Sequence, residues 1–492
     1  MNRRAAVPLM TLALATPGVS RAHALGERYE LPLPLGHFVI GAALTVGLSF
    51  VVVALLARNH GRKAGSRVAM LPMPGSARGP GVLRLLGVAS LLLVLVTGAF
   101  GDGHPARNIA PTVVWILGWV GLSLVAACIV NPWPALDPWR TLHDLSIAAS
   151  RRIASAHAAR TPRPYPARLA AWPAVLLLLA CSWIEVVLPV SSTPAVLAAL
   201  LATWTVINLA AMARYGAAAW QTNGDFLARA FATFGRFAPL MPAPGGGLAL
   251  RWPGAGLAGQ TVDGLSGVAF IVMLLATVLF DGLTGTQFWR VYDRFISSVF
   301  DGAFAPWLDR DGIVLGTIGI VGTWFVLFAA FLLSCRLAAM WLPGVGTRGL
   351  AERLAMSLVP IAVGYHVAHN FSYVVEQGRA IIALVSDPFG IGWNLFGTAG
   401  YQADIGLISA RSSWHIALTA VVAGHVLSIW LGHRETLAHA PNRRAAIAAS
   451  VPLTVLMVGY TALSLLILAD PLTRYSKPDS SYSAAPHQSM AL

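Results

Sequence analysis

Ten apolar stretches punctuate the chain, near residues 36–57, 81–100, 110–130, 168–190, 194–213, 262–281, 312–335, 354–376, 412–432 and 447–469. Each approaches the roughly 20 residues that a helix rising about 1.5 Å per residue needs to cross a hydrocarbon core of about 30 Å. The pattern predicts an all-α, polytopic membrane bundle of about ten transmembrane helices, its fourth and fifth joined by a short turn at Ser191-Ser-Thr-Pro194. Ahead of them, residues 1–24 read as a cleaved signal peptide. Arg3 and Arg4 precede an apolar run from Ala5 to Ala15 that is too short to span, and small residues follow at Ser20, Ala22 and Ala24. Residues 25–472 then form the transmembrane domain, and 473–492 a polar, disordered tail.

The loops between the stretches give an orientation. With the mature N-terminus outside, the segments assigned to the cytoplasm carry 22 Lys and Arg and the exterior ones 9. That bias follows the positive-inside rule and places both termini outside an inner (cytoplasmic) bacterial membrane. Two cytoplasmic connections, about 131–167 and 214–261, are rich in Pro, Gly, Ala and Arg, and read as surface segments with short amphipathic helices.

Composition agrees with a membrane protein. Of 492 residues 56% are hydrophobic and only 11% charged, against about 25% charged in a soluble domain. A net charge of +14 invites a nucleic-acid reading, but the basic residues follow topology rather than forming a groove, so no nucleic-acid partner is expected. The three cysteines, Cys128, Cys181 and Cys335, lie in apolar segments without a CxxC pair, which supports neither a disulfide framework nor a thiolate zinc site.

One stretch stands out against this apolar background: His366-Val-Ala-His369-Asn370-Phe-Ser-Tyr373-Val-Val-Glu376-Gln377. Offsets of three, seven and ten from His366 place His369, Tyr373 and Glu376 on one face of a helix. Ionisable groups at membrane depth are costly, so such a stripe faces a bundle interior or a polar cavity. Two imidazoles one turn apart with a carboxylate above them suit a divalent metal that activates water, and suit a proton relay equally well. The blander alternative is a polar seam that joins helices. The next apolar stretch adds His415 and His425, and Asp102, Glu185 and Asp281 stand at exterior ends, where carboxylates serve as ligands or bases. Asp102 and Asp281 each precede Gly, which also fits a turn former. Cleavage after Ala22 would leave His23 as the first residue, whose amine and imidazole suit copper; cleavage after Ala24 would remove it.

Two loops carry further signals. Ser386-Asp387-Pro-Phe-Gly-Ile-Gly-Trp393-Asn394-Leu-Phe396-Gly suits a lid or re-entrant loop over a cavity mouth, and equally an interfacial belt. Asn131-Pro-Trp133-Pro-Ala-Leu-Asp137-Pro-Trp139 stops a helix and anchors it at the interface. Walker A, dinucleotide-fingerprint and nucleophile-elbow motifs are absent from the sequence.

Taken together, His23-Ala-Leu-Gly-Glu-Arg-Tyr-Glu-Leu-Pro-Leu-Pro leading into the first span, the Asn131-Pro-Trp helix end, His366-xx-His369-Asn370 and the 386–397 loop resemble one group over most of the chain. They resemble the polytopic bacterial fenitrothion hydrolases, membrane-bound enzymes that degrade organophosphates. The resemblance implies hydrolysis of the P–O-aryl bond of a small hydrophobic phosphotriester taken from the lipid bilayer. On that reading a divalent metal ion held by His366, His369, His415 and His23 activates water. Glu376 serves as ligand or base, Asp281 as a further catalytic carboxylate, and Tyr373 donates to the developing charge. The rival expectation is a transition-metal (copper) handling protein or a small-solute transporter that uses the His366/His369 stripe.

Overall fold

The structure, a computed structural model, describes residues 29–56, 69–71, 79–153, 161–243, 247–300, 312–402 and 406–474. Every one of the ten apolar stretches is helical. The long helices are α1 (Leu35–Leu56), α2 (Gly79–Phe100), α3 (Ile109–Cys128), α5 (Trp172–Val186), α6 (Pro194–Tyr215), α9 (Gly264–Thr284), α11 (Ile313–Ala339), α13 (Val359–Gln377), α14 (Ala410–His439) and α15 (Arg443–Leu472). Between them lie α4 (Pro138–Ile153), α7 (Ala217–Asn223), α8 (Phe226–Phe237), α10 (Gln287–Phe300) and α12 (Thr347–Leu354).

Eight of the ten are long and apolar enough to cross a membrane. The two exceptions have a physical cause each. Helix α5 holds 15 residues because it opens on Trp172-Pro and closes before the Leu188-Pro189 turn. Helix α13 is long enough, but the His366–Gln377 stripe dilutes its apolar character.

Helix α9 is the axis of the bundle, with 78% of its most apolar window buried. It packs against α5, α11 and α13, and α14 joins α13 to α15. Outer helices show the opposite pattern: Leu85, Leu92, Val96 and Phe100 form an exposed apolar stripe on α2. In water such a stripe would be a liability; facing lipid tails it costs nothing.

Helices α13 and α14 cross closely through glycine. A Cβ on Gly364 would stand 2.5 Å from the Ala420 carbonyl oxygen, and one on Gly424 2.5 Å from that of Pro360. Only glycine lets these backbones meet, as in other membrane helix pairs built on small residues. This contact sets the height and rotation of the His366–Glu376 face.

Two features depart from the pattern read along the chain. Residues Thr112–Gly121 of α3 form a π-helical run of ten residues, where π-helix usually occurs as single-turn bulges; no residue in the run accounts for it. The 214–261 connection is more than surface. Helix α8 buries Phe226, Ala230, Phe231 and Phe234 against α3 and α5, because its apolar residues share one face. Two strands from the same connection, β3 (Leu240–Pro242) and β4 (Leu248–Leu250), form a small antiparallel sheet with β2 (Ala69–Leu71), in the order β2-β4-β3. Thr473–Arg474 (β5) pairs in parallel with Tyr29–Glu30 (β1), so the described ends of the chain meet.

Candidate functional site

The polar stripe of α13 does not act as one set. His369 bonds outward to α9, its Nε2 lying 2.8 Å from Asp281 Oδ2. The imidazole is 9% exposed and the carboxylate 28%, so the pair stands at the rim of the buried interior. Tyr365, one turn below, stacks on the His369 ring with centroids 6.1 Å apart, and its hydroxyl packs against the backbone of Gly282. A carboxylate and an aromatic ring thus fix the plane of one imidazole.

Around this pair lie two more polar groups. Glu185 of α5 and Tyr373 of α13 both stand within electrostatic reach of Asp281 and of each other. The indole of Trp119, from the π-helical part of α3, lies next to the Glu185 side chain. Four helices therefore supply one cluster: α3, α5, α9 and α13.

His366 is within electrostatic reach of Asp281 and His369 but makes its direct contacts elsewhere. It is 4% exposed, stacks on Phe234 of α8 at 5.9 Å, and its Nδ1 receives the Asn370 amide at 3.3 Å. Glu376 is also buried, its Oε1 has no hydrogen-bond partner, and its charged neighbour is Arg379 rather than Asp281. His415 sits on the exposed side of α14, and His425 lies in the interior against Tyr460, 5.8 Å between rings. The two lie ten positions apart on α14, His415 exposed and His425 buried. His23 lies outside the described residues.

Asp102 behaves as a turn former: it accepts from the backbone of His104 at 2.7 Å and pairs with Arg107. Asp281, in the same Asp-Gly context, is instead recruited by His369. The two are indistinguishable until the partner helix is known.

A divalent metal requires donors that converge. Among the described residues no three His, Cys, Asp or Glu side chains come together to hold one. His369 and Asp281 are spent on each other and His366 on Asn370, so the donor set does not fit, and no chemical step is routed through a metal here.

Beside the cluster is an apolar cavity of about 660 Å³ between α2, α3, α5, α6 and α8. Trp119, Cys181 and Ile184 form the wall nearest Glu185, while Trp133, Trp204 and Phe226 close the far end. That volume falls within the usual range of small-molecule sites, about 300–1,000 Å³. Trp119 stands between the two, with its ring on the cavity and Glu185 beside it.

The far end of the cavity rests on a second polar group. Asp225 caps α8, its Oδ1 accepting from Leu227 and Ala228 N–H at 3.0 and 3.2 Å. Asp137 accepts from Gln221 Nε2 at 2.6 Å and from the Arg140 backbone at 3.0 Å. Burial, and then the charge of Asp137, push the Asp225 carboxyl up to about 7. Burial also raises Asp137, against the hydrogen bonds from Arg140 and Gln221.

Sequence reasoning placed His369, Tyr373 and Asp281 and noted Glu185, but missed Tyr365 and Trp119. Tyr365 had a signal, since it lies one turn before His369 on the same helix. Trp119 had none, because one tryptophan among 16 carries no mark of its partner. No family model, curated protein or solved structure matches this chain.

Proposed function

We propose that the protein is a membrane-embedded hydrolase of neutral, apolar phosphotriesters, with fenitrothion as the representative substrate. The observation that carries the reading is an imidazole–carboxylate pair at 2.8 Å, separated by Glu185 and Trp119 from an apolar cavity of about 660 Å³ whose wall includes Trp119. An uncharged aryl phosphotriester dissolves in lipid, and a cavity of this size and character suits its aryl and alkoxy groups.

The chemistry follows from the residues of the cluster. The His369–Asp281 pair takes a proton from water as the water oxygen attacks phosphorus. Asp281 orients the imidazole and stabilises its cation, while the Tyr365 ring holds its plane. As the P–O-aryl bond breaks, the electron pair leaves with the aryl oxygen, giving a nitrophenolate and a dialkyl thiophosphate. The Tyr373 hydroxyl donates to the charge that grows on the P=S or P=O atom. Glu185, next to Trp119, is a second proton acceptor toward the cavity. A nitrophenolate is a good leaving group, so no strong general acid is required of the protein.

The test is nitrophenol release from fenitrothion by purified protein in detergent. His369→Ala and Asp281→Asn are each expected to lower the rate by about 10²–10⁴-fold, the usual contribution of a general base, with Glu376→Gln near wild type. Unchanged turnover in both dyad variants moves the site elsewhere, and no turnover in the wild type removes the hydrolase reading. Loss on treatment with a chelator would replace the dyad mechanism by a metal-dependent one.

A further inference from the structure

The loop after α13 is folded in detail and yet turns its apolar side chains outward. Ile391, Trp393, Leu395 and Phe396 are 58%, 44%, 58% and 70% exposed. Mobility does not explain this, because the loop is held throughout. Asp387 accepts from Ile391 N–H at 3.0 Å and Gly392 N–H at 2.6 Å. Ser386 accepts from Phe396 and Thr398 N–H, each at 3.2 Å, and Asn394 accepts from Ala399 N–H at 3.0 Å. From Pro388 to Ala403 the sequence has no Asp, Glu, Lys or Arg. The one acid at its start, Asp387, is committed to the loop's own backbone.

The loop is also fastened to the mouth of the cavity. Phe389 O accepts from Asp102 N–H at 2.7 Å and Pro388 O from Ile109 N–H at 3.2 Å. A Cβ on Gly390, whose φ is +70°, would stand 2.5 Å from the Arg107 carbonyl oxygen, so the clasp needs glycine there. Ile109 on one side of the clasp and Val385 on the other both line the cavity. Phe100, which ends the exposed apolar stripe of α2 and is itself 79% exposed, immediately precedes this turn. The apolar loop therefore continues the lipid-facing surface of α2.

We propose that residues 388–397 dip into the headgroup region of the adjacent leaflet and form the lipid-side rim of the cavity mouth, admitting neutral apolar molecules directly from the bilayer. A charge-free, contiguous apolar patch at the end of a spanning helix matches a lipid partner better than a peptide one. Much of the loop backbone is bonded internally, which suits interfacial depth; a loop with open peptide groups would have to stay in water. The depth of the loop stands by itself, while its role as a substrate entrance rests on the hydrolase reading.

The experiment places a nitroxide at Ile391→Cys or Leu395→Cys, with Ala106→Cys on the neighbouring turn as the aqueous reference. All are made in a Cys128→Ser/Cys181→Ser background, with buried Cys335 retained, and reconstituted in phosphatidylcholine–phosphatidylglycerol vesicles. Oxygen accessibility is expected to exceed that of a water-soluble nickel chelate at 391 and 395, with the order reversed at 106. Water-type accessibility at both loop positions overturns the proposal whatever the enzymology. In parallel, Phe396→Asp is expected to raise KM for vesicle-dissolved fenitrothion about tenfold at unchanged kcat. An unchanged KM overturns the entrance role. Absence of turnover in the wild type would instead fell the hydrolase reading and leave the nitroxide result to decide the loop's position.

Discussion

The buried carboxylate at the foot of the cavity makes stability depend on pH in a direction opposite to that of a salt-bridged acid. Asp225 is fully buried, and its carboxyl is pushed up from an ordinary 3.8 to about 7. The groups facing it are the Asp137 carboxylate and the α8 N–H groups it caps. Between these values the folded protein holds a proton that the unfolded chain has lost, so stability falls as pH rises and levels off above about 7. At about 1.4 kcal/mol for each tenfold change in proton affinity, the whole effect is about 4 kcal/mol, of which about 2 kcal/mol is lost between pH 5 and pH 7. Asp225→Asn keeps a side-chain oxygen for the cap and removes the charge. Its unfolding midpoint in mixed detergent micelles is therefore expected to be flat from pH 5 to pH 8, while that of the wild type declines, the gap widening to a few kcal/mol at pH 8. Asp225→Ala separates the two contributions. It gives up the cap, worth about 1 kcal/mol, at every pH, and still gains on the wild type above pH 7. Wild-type and Asp225→Asn curves that stay parallel across this range would refute the assignment of a neutral, buried carboxyl.

Further outcomes follow from packing and from the site. Gly364→Ala or Gly424→Ala is expected to destabilise the bundle by about 1–3 kcal/mol, the usual cost of overpacking, and to lower activity through displacement of α13; a thermal melt and an activity assay on the same sample read both. Leu201→Trp, which fills the cavity wall between α6 and α3, is expected to raise KM for fenitrothion with little loss of the folded fraction. His415→Ala, on the exposed side of α14, is expected to leave turnover within twofold of wild type. Asn108→Ala removes a buried amide that donates to Thr97 O at 2.8 Å and to Asp102 O at 2.9 Å and caps α3 through Ala110 N–H. It is expected to cost about 2–3 kcal/mol in thermal or denaturant unfolding.

The class of this protein is written in runs of apolar residues. Helix formation in lipid needs no partner, because each span satisfies its own peptide groups, so length and hydropathy along the chain suffice to locate all ten helices. A polar face was legible on α13 for a similar reason. Periodicity alone puts His366, His369 and Tyr373 on one face of the helix, and the cost of ionisable groups at membrane depth marks that face. The division of labour along the stripe was not legible. Whether His369 meets Asp281, whether His366 meets Asn370, and whether Glu376 turns toward Arg379 depend on which helices adjoin α13 and at what rotation. That geometry is set by a close glycine crossing with α14 and by the axial position of α9. The cavity is equally tertiary, since its wall is assembled from helices far apart in sequence and none of its residues is unusual in its own span. Local sequence decides which segments are helical because the bilayer rewards each segment separately; side-chain partnership is decided by contacts between segments that lie as far apart in sequence as Asp281 and His369.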